Sequence, residues 1–461
     1  MNYQSILQER FERIFSEFRR SYSVTSSAKE LLMRYDQIKQ ELFIKNRKKF
    51  TDRLPKGAMA IFHSNDQMPR NGDQYHMFRQ NSDLLYLSGI DQEDSYLIIF
   101  PDSPIAKYKE VLFVKETSEL IAVWEGEKLT QDQAKSVSGI KTVVWNDQFE
   151  SVLKMLMHYA DTVFLNLNEN DRAVNDVPYR DLRFANKLRE DFPAHKLERS
   201  GPIMADIRSV KEDIELELMQ QACNITNKAF RRVLGFVKPG VWEYEVEAEF
   251  THEYLINRGN GHAYEPIVAS GANACVLHYV TNNKECKDGD LLLLDTGADY
   301  ANYASDMTRT IPVNGRFSDR QKDVYNAVLR VMKQATDMLE PGLVLDQFNQ
   351  QVGEIMLGEL IGLGLIDAQE AKDHKGPVPI YKKYFPHGTG HFLGLDTHDI
   401  GNRYAPLREN TVVTVEPGIY IREEGIGIRI ENNVVIKSGE NLDLMADIPR
   451  EVEEIEDLMN Q

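Results

Sequence analysis

Positive charge is in short supply in this 461-residue chain: 54 lysines and arginines face 72 aspartates and glutamates, a formal net charge of −18. Such a balance offers no basic footprint for nucleic acid or for an anionic membrane surface. Cysteine is scarcer still, with only Cys223, Cys275 and Cys286 and no CxxC spacing. An odd, unpatterned set excludes a disulfide framework and predicts a reducing, cytoplasmic setting in which the thiols are small buried fillers. No apolar run approaches the roughly 18–20 residues needed to span a bilayer. Residues 1–10 hold no signal-peptide apolar core. The remaining composition is that of a soluble globular protein, and the length predicts two domains.

Residues 1 to about 50 read as helix, with Phe11, Ile14, Phe15 and Phe18, and later Leu31, Leu32 and Tyr35, at helical spacing. This is an amphipathic packing or oligomer-contact element. From about 56 to 200, short apolar runs at 58–62, 96–100 and 111–114 alternate with helix-like stretches at 131–136 and 148–157, an α/β pattern. The stretch Phe78 to Gly89 reads as a packed strand and turn. The turn cluster Ser200-Gly201-Pro202 marks the boundary between a domain over 1–202 and a second over 203–461.

The second domain is organised around Leu291-Leu-Leu-Leu-Asp295-Thr-Gly297. A short apolar run bounded by turn residues predicts a buried strand. The carboxylate at its end needs an arginine, a helix start or a metal, because losing its hydration costs several kcal/mol. Asp306 repeats the problem eleven residues later.

The layout then recurs. Phe236 to Val246 and Met338 to Phe348 both read helix, Pro-Gly turn, helix. Downstream of the second, Val412-Val-Thr-Val-Glu416-Pro-Gly418 matches the Asp295 strand, and Glu431 stands to Glu416 as Asp306 does to Asp295. The repeat predicts two similar halves about a pseudo-two-fold axis. If the halves face each other, Asp295, Asp306, Glu416 and Glu431 converge, and two divalent cations would neutralise the set. Three of the eleven histidines, His387, His391 and His398, lie in a glycine-rich stretch from Pro386 to Gly401, and His278 precedes Asp295. For His63, His76, His158 and His195 a structural hydrogen bond is the reading. Oxygen ligands with one imidazole suit manganese, cobalt, iron(II) or zinc. The chemistry is metal-assisted hydrolysis of an acyl or a phosphoryl bond, and spacing does not choose between them.

Taken in order, His278, Leu-Leu-Asp295-Thr-Gly, Ser-Asp306-Met-Thr-Arg-Thr, His387-Gly-Thr-Gly-His391 to His398-Asp, Val-Glu416-Pro-Gly-Ile-Tyr420 and Arg429-Ile-Glu431 resemble the pita-bread metallopeptidases, and most closely the Xaa-Pro aminopeptidases, with prolidases second. Phe78 to Gly89 and Val123-Trp-Glu-Gly126 are similar to that family's N-terminal domain. The resemblance implies an α/β N-terminal domain and an α+β pita-bread catalytic domain. It implies two ions, manganese first, with Asp295 on one, His391 and Glu416 on the other, and Asp306 and Glu431 bridging both. His391 is implied as the ligand, and not His387, because the family places its second catalytic histidine seven residues beyond the ligand, where His398 stands. Glu416 would also shuttle the proton of a hydroxide shared by the ions. His278 and His398 would hydrogen-bond the substrate carbonyl and tetrahedral intermediate. His387 would lie by the proline subsite, and Arg429 would hold a ligand carboxylate. The implied reaction removes an N-terminal residue from peptides with proline in second place, in a homodimer or homotetramer. A prolidase restricted to Xaa-Pro dipeptides is the alternative, and a binding module that has lost catalysis is a third reading, opposed by the intact ligand set.

Overall fold

The computed structural model describes residues 34–170, 172 and 176–461. The helix expected over residues 1–33 lies outside them. Within the described part the first helix is Gln40–Thr51, and residues 34–39 are not helical. Tyr35 sits edge-on to Tyr300, with centroids 6.2 Å apart, and Arg34 donates to the Gly259 carbonyl at 3.1 Å. Tertiary contacts thus hold this stretch where its apolar spacing suggested helix.

A six-stranded sheet follows, in the order β4-β3-β2-β1-β5-β6, from β1 (Ala58–His63), β2 (Tyr96–Ile99), β3 (Glu110–Val114), β4 (Thr142–Trp145), β5 (Thr162–Leu165) and β6 (Lys196–Arg199). The three predicted strands are β1 to β3, each antiparallel to the next. The other pairings are parallel, as crossovers through helices require. Helices Phe149–Met157 and Arg180–Asp191 cover one face through Phe149, Leu153, Leu156 and Leu188. Gln40–Thr51 lends Phe50, which meets Phe62 of β1 edge-on at 5.2 Å.

Phe78 to Gly89 is not the strand and turn expected. It holds a helix, Ser82–Ser88, started by the Asn81 side chain, which accepts from the amides of Asp83 and Leu84, and ended by Gly89 at φ 69°. The apolar run Leu84–Leu87 masked this cap-and-stop pattern. Ser200-Gly-Pro202, read as a turn, opens the helix Gly201–Arg208 with proline in its first turn, a position that loses no hydrogen bond.

The later part shows the repeated layout. Helices Asp213–Phe236 and Glu243–Ile256 are joined through Pro239-Gly240, and helices Asp319–Met338 and Leu345–Gly362 through Pro341-Gly342; both glycines have positive φ, 95° and 101°. The first pair leads to β7 (Gly261–His262), β8 (Ile267–Ser270), β9 (Leu291–Asp295), β10 (Ala298–Tyr300), β11 (Tyr303–Ala304) and β12 (Thr308–Pro312). The second leads to β13 (Val412–Val415), β14 (Gly418–Ile421), β15 (Ile426–Arg429), β16 (Asn432–Val435) and β17 (Leu442–Asp443). β9 is antiparallel to β12, with Asp295 opposite Thr308; β13 is antiparallel to β16, with Val415 opposite Asn432. Antiparallel pairing sets the end of one strand beside the start of its partner. Each acid that ends a strand is thereby placed next to the acid that precedes the partner, Asp295 by Asp306 and Glu416 by Glu431.

One buried cation ties the halves. Arg309 on β12 donates to the carbonyls of Thr308, Glu431 and Pro449 and to Asn432 Oδ1, all at 2.7–2.8 Å. Burial lowers its pKa to about 10.

Candidate active site

Asp295, Asp306, Glu416, Glu431, His278, His387, His391 and His398 line one cleft of about 1500 Å³, together with Asn81, Asp83 and Asn168 of the α/β part. Asp306, His391 and Glu431 each offer a donor atom within 4.8 Å of one another. His391 Nε2 lies 3.4 Å from Asp306 and 3.6 Å from Glu416 Oε1. Its Nδ1 lies 3.0 Å from the Phe392 carbonyl; a carbonyl only accepts, so Nδ1 carries a hydrogen and Nε2 is the nitrogen that faces the acids.

Asp295 turns elsewhere. One of its oxygens meets the Arg429 guanidinium and the other lies 2.7 Å from the Tyr264 hydroxyl, which is also 2.6 Å from Asp306 Oδ1. Glu431 accepts from Thr308 Oγ1 at 2.7 Å. The Glu416 amide donates to the Thr389 carbonyl at 2.7 Å, and Asn349 accepts from the amides of Thr389 and Gly390 at 2.6 and 3.2 Å. A side chain on the helix Leu345–Gly362 thereby fixes the loop that carries His391.

The acids carry more negative charge than the protein offsets. Burial, opposed by His391 and reinforced by Asp306, raises Glu416 to about 7. Burial, then Asp306, Glu416 and Asp295, pushes Glu431 well up, and burial raises Asp295 despite Arg429. His391 is raised: burial works against its charged form, but Asp306 and Glu416 outweigh it. The single phenol hydrogen of Tyr264 can serve only one of Asp295 and Asp306 at a time. Four carboxylates with one imidazole around a cleft floor are a donor set that fits divalent cations.

The other histidines face the same space. His398 stands edge-on to His391, with centroids 4.4 Å apart; its Nε2 lies 2.8 Å from Arg172 Nη1, and its carbonyl accepts from Asn170 at 3.1 Å. Burial, then His391 and Arg172, lowers its pKa to about 3. His387 is linked through Nε2 to the Tyr420 hydroxyl at 2.7 Å, and that hydroxyl accepts from Arg429 at 2.7 Å. Burial and Arg429 bring His387 to about 3. His278 is exposed on the cleft wall. Away from the cleft, His63 pairs with Asp181 and His195 with the Met157 carbonyl, the structural roles expected of them.

Sequence reasoning gave no role to Tyr264, Asn349, Thr308 or Arg172. Tyr264 stands 31 residues before Asp295 with no motif around it, and only the folded chain brings its hydroxyl to both aspartates.

A two-part α/β protein with a carboxylate-and-imidazole cluster at the bottom of an open cleft has the layout of a metal-dependent hydrolase. Residues 217–438 match metallopeptidase family M24, and residues 43–164 match the aminopeptidase P N-terminal domain. A Haemophilus influenzae Xaa-Pro aminopeptidase is 32% identical over 447 residues, 92% of this chain and 97% of the relative. Human Xaa-Pro aminopeptidase 3 is 31% identical, over 86% and 80% of the two chains. Among solved structures, a putative aminopeptidase P from Bacillus anthracis superposes with a TM-score of 0.84 at 33% identity, covering 92% of this chain and 99% of its own. Zinc-substituted Escherichia coli aminopeptidase P gives 0.82 at 30% identity over 92% and 99%. The chain therefore belongs to metallopeptidase family M24 and, within it, to the Xaa-Pro aminopeptidases, which are metal-dependent peptidases.

Proposed function

We propose that the protein releases the N-terminal residue of peptides in which proline stands second, using two divalent ions, manganese first among them. The observation that carries this reading is the convergence of Asp295, Asp306, His391, Glu416 and Glu431 on one cleft floor with Glu416 and Glu431 pushed upward by their neighbours. Asp295 would hold one ion, His391 and Glu416 the other, with Asp306 and Glu431 between them. Such ions, when bound, polarise a carbonyl and make water nucleophilic near neutral pH.

The side chains have separate tasks. Water oxygen bonds to the scissile carbonyl carbon; Glu416 takes the water's proton and passes it to the imide nitrogen as the C–N bond breaks. His278 and His398 hydrogen-bond the carbonyl oxygen as it gains charge. His387, fixed through Tyr420 and Arg429, borders the proline ring. A proline imide has no N–H and a fixed φ, so a site that recognises the ring by shape suits it. Arg429 keeps Asp295 oriented.

The cleft continues past His398 to Asn168 and Arg199 of the α/β part, which favours peptides extending beyond proline over dipeptides alone. We assign residues 1–202 to the N-terminal domain and 203–461 to the catalytic domain. The exposed Leu120, Val123 and Trp124 on one short helix favour a homo-oligomer, and three free, buried cysteines favour a reducing compartment such as the cytoplasm.

The test is release of the first residue from a Xaa-Pro-Xaa peptide after chelation and after return of Mn, Co or Zn. Activity that disappears and returns with an ion supports the reading; cleavage of Xaa-Pro dipeptides alone replaces it with a prolidase.

A further inference from the structure

His391 and His398 belong to a segment, residues 391–401, that forms neither helix nor strand of its own. Charges from other parts of the chain hold it. Arg208, the last residue of the helix Gly201–Arg208, is 3% exposed. Its guanidinium meets Asp399, lies 2.8 Å from Asp396, and reaches Asp83 of the α/β part at 2.7 Å. Lys211 Nζ takes the other oxygen of Asp399 at 2.8 Å and donates to the Arg208 carbonyl at 2.7 Å. Ser82 Oγ donates to Asp396 at 2.7 Å, and Arg79 to the Leu395 carbonyl at 2.9 Å.

The backbone is shaped to this arrangement. A Cβ on Gly394 would stand 2.2 Å from Asp399 Oδ2 and 2.6 Å from Lys211 Nζ, so the ion pair lies across a position that only glycine can fill. Asp399, the neighbour of His398, accepts as well from the Ile400 amide at 3.0 Å. Arg208 and Lys211 hold its carboxyl below the usual range against the opposing effect of burial. His391 has supports of its own: its amide donates to Thr414 Oγ1 at 3.1 Å and its Nδ1 to the Phe392 carbonyl.

We propose that Arg208 is a positioning residue for His398, tying that histidine to the α/β part through Asp399, Asp396 and Asp83. The inference rests on the role given to His398 above. Three carboxylates at three angles require a planar fork, and a lysine ammonium cannot replace it as a point charge. A small displacement of a group that must meet the reacting carbonyl costs turnover steeply. Metal binding and peptide affinity depend on other residues and are left intact.

The metal-loaded full-length enzyme tests this with Arg208→Lys and Asp83→Asn, each alone and combined with His398→Ala. In the otherwise native enzyme Arg208→Lys lowers kcat by at least about tenfold, with KM and bound metal unchanged. Asp83→Asn, which keeps side-chain volume and an accepting oxygen but removes the charge that Arg208 meets on the α/β part, lowers kcat by a smaller factor and decides the matter if Arg208→Lys does not fold. Added to His398→Ala, neither lowers kcat further by more than about twofold, as residues acting through one group are non-additive. Native kcat in the single variants, or equal fold-losses in both backgrounds, overturns the coupling alone. Native kcat in His398→Ala removes the role of His398 itself, and the coupling with it.

Discussion

The Tyr264 hydroxyl lies 2.7 Å from Asp295 and 2.6 Å from Asp306, one donor between two acids of adjacent strands. Burial and both aspartates push its pKa far upward, so the phenol keeps its hydrogen. Tyr264→Phe removes the donor and little volume. Metal affinity is expected to fall by about 10–100-fold, as when outer partners of metal ligands are lost, with the fold intact. Metal titration of the variant checks it; native affinity would mean that the phenol orients neither aspartate.

Glu431 is buried among like charges. In chelated protein, Glu431→Gln keeps an oxygen for Thr308 Oγ1 and removes one negative charge. It should stabilise the metal-free form by on the order of 1–2 kcal/mol while abolishing the stabilisation that added metal gives the native protein. Thermal unfolding with and without metal reads both effects.

Arg429 reaches Asp295, Tyr420 and Thr308 at once. Lysine keeps the charge but cannot span three acceptors. Arg429→Lys is expected to lower kcat/KM by about tenfold or more, since a hydrogen bond to a charged group is worth roughly 1.5–3 kcal/mol. Steady-state rates at saturating metal decide this, and a native value would show that charge alone suffices.

Between the two aspartates, a Cβ on Gly297 would come within 1.8 Å of the Ser305 carbonyl oxygen. Backbone cannot give way there without moving Asp306. Gly297→Ala should cost about 3 kcal/mol or more and appear as lost soluble yield or an early denaturant midpoint. A variant of native stability would refute the close approach.

His262 lies between the hydroxyls of Thr251 and Thr296, and burial lowers its pKa to about 4, against about 6.5 in an unfolded chain. The unfolded chain therefore takes up the proton first. Stability from the neutral ring is fully present above about pH 6.5 and is lost as pH falls toward 4, on the order of 3 kcal/mol in all. Unfolding of native protein and His262→Gln across that range should show native protein losing ground to the variant as pH falls. A constant gap would exclude the titration.

The acid-ended strands were legible because burying Leu291–Leu294 and Val412–Val415 demands apolar runs, and a charge at the end of such a run is conspicuous. The Pro-Gly turns made the halves legible as a repeat. Phe78 to Gly89 misled, because one capping asparagine outweighs four apolar residues in setting a helix start. Tyr264, Asn349 and Arg208 were invisible for another reason. Each acts across long stretches of chain, Arg208 on Asp399 across 191 residues, and a lone tyrosine, asparagine or arginine has no spacing to betray it.

A guanidinium has hydrogens and no lone pair to offer, so in the contact between Arg172 and His398 Nε2 the imidazole nitrogen must be the receiver, and its ring hydrogen sits on the far side. Whichever nitrogen serves a peptide oxygen then sets the condition for doing so. Service from Nε2 requires Arg172 to let go and the ring to take up or relocate a hydrogen, whereas Nδ1 already carries one to donate. One arginine–histidine contact thereby selects the tautomer in which His398 waits.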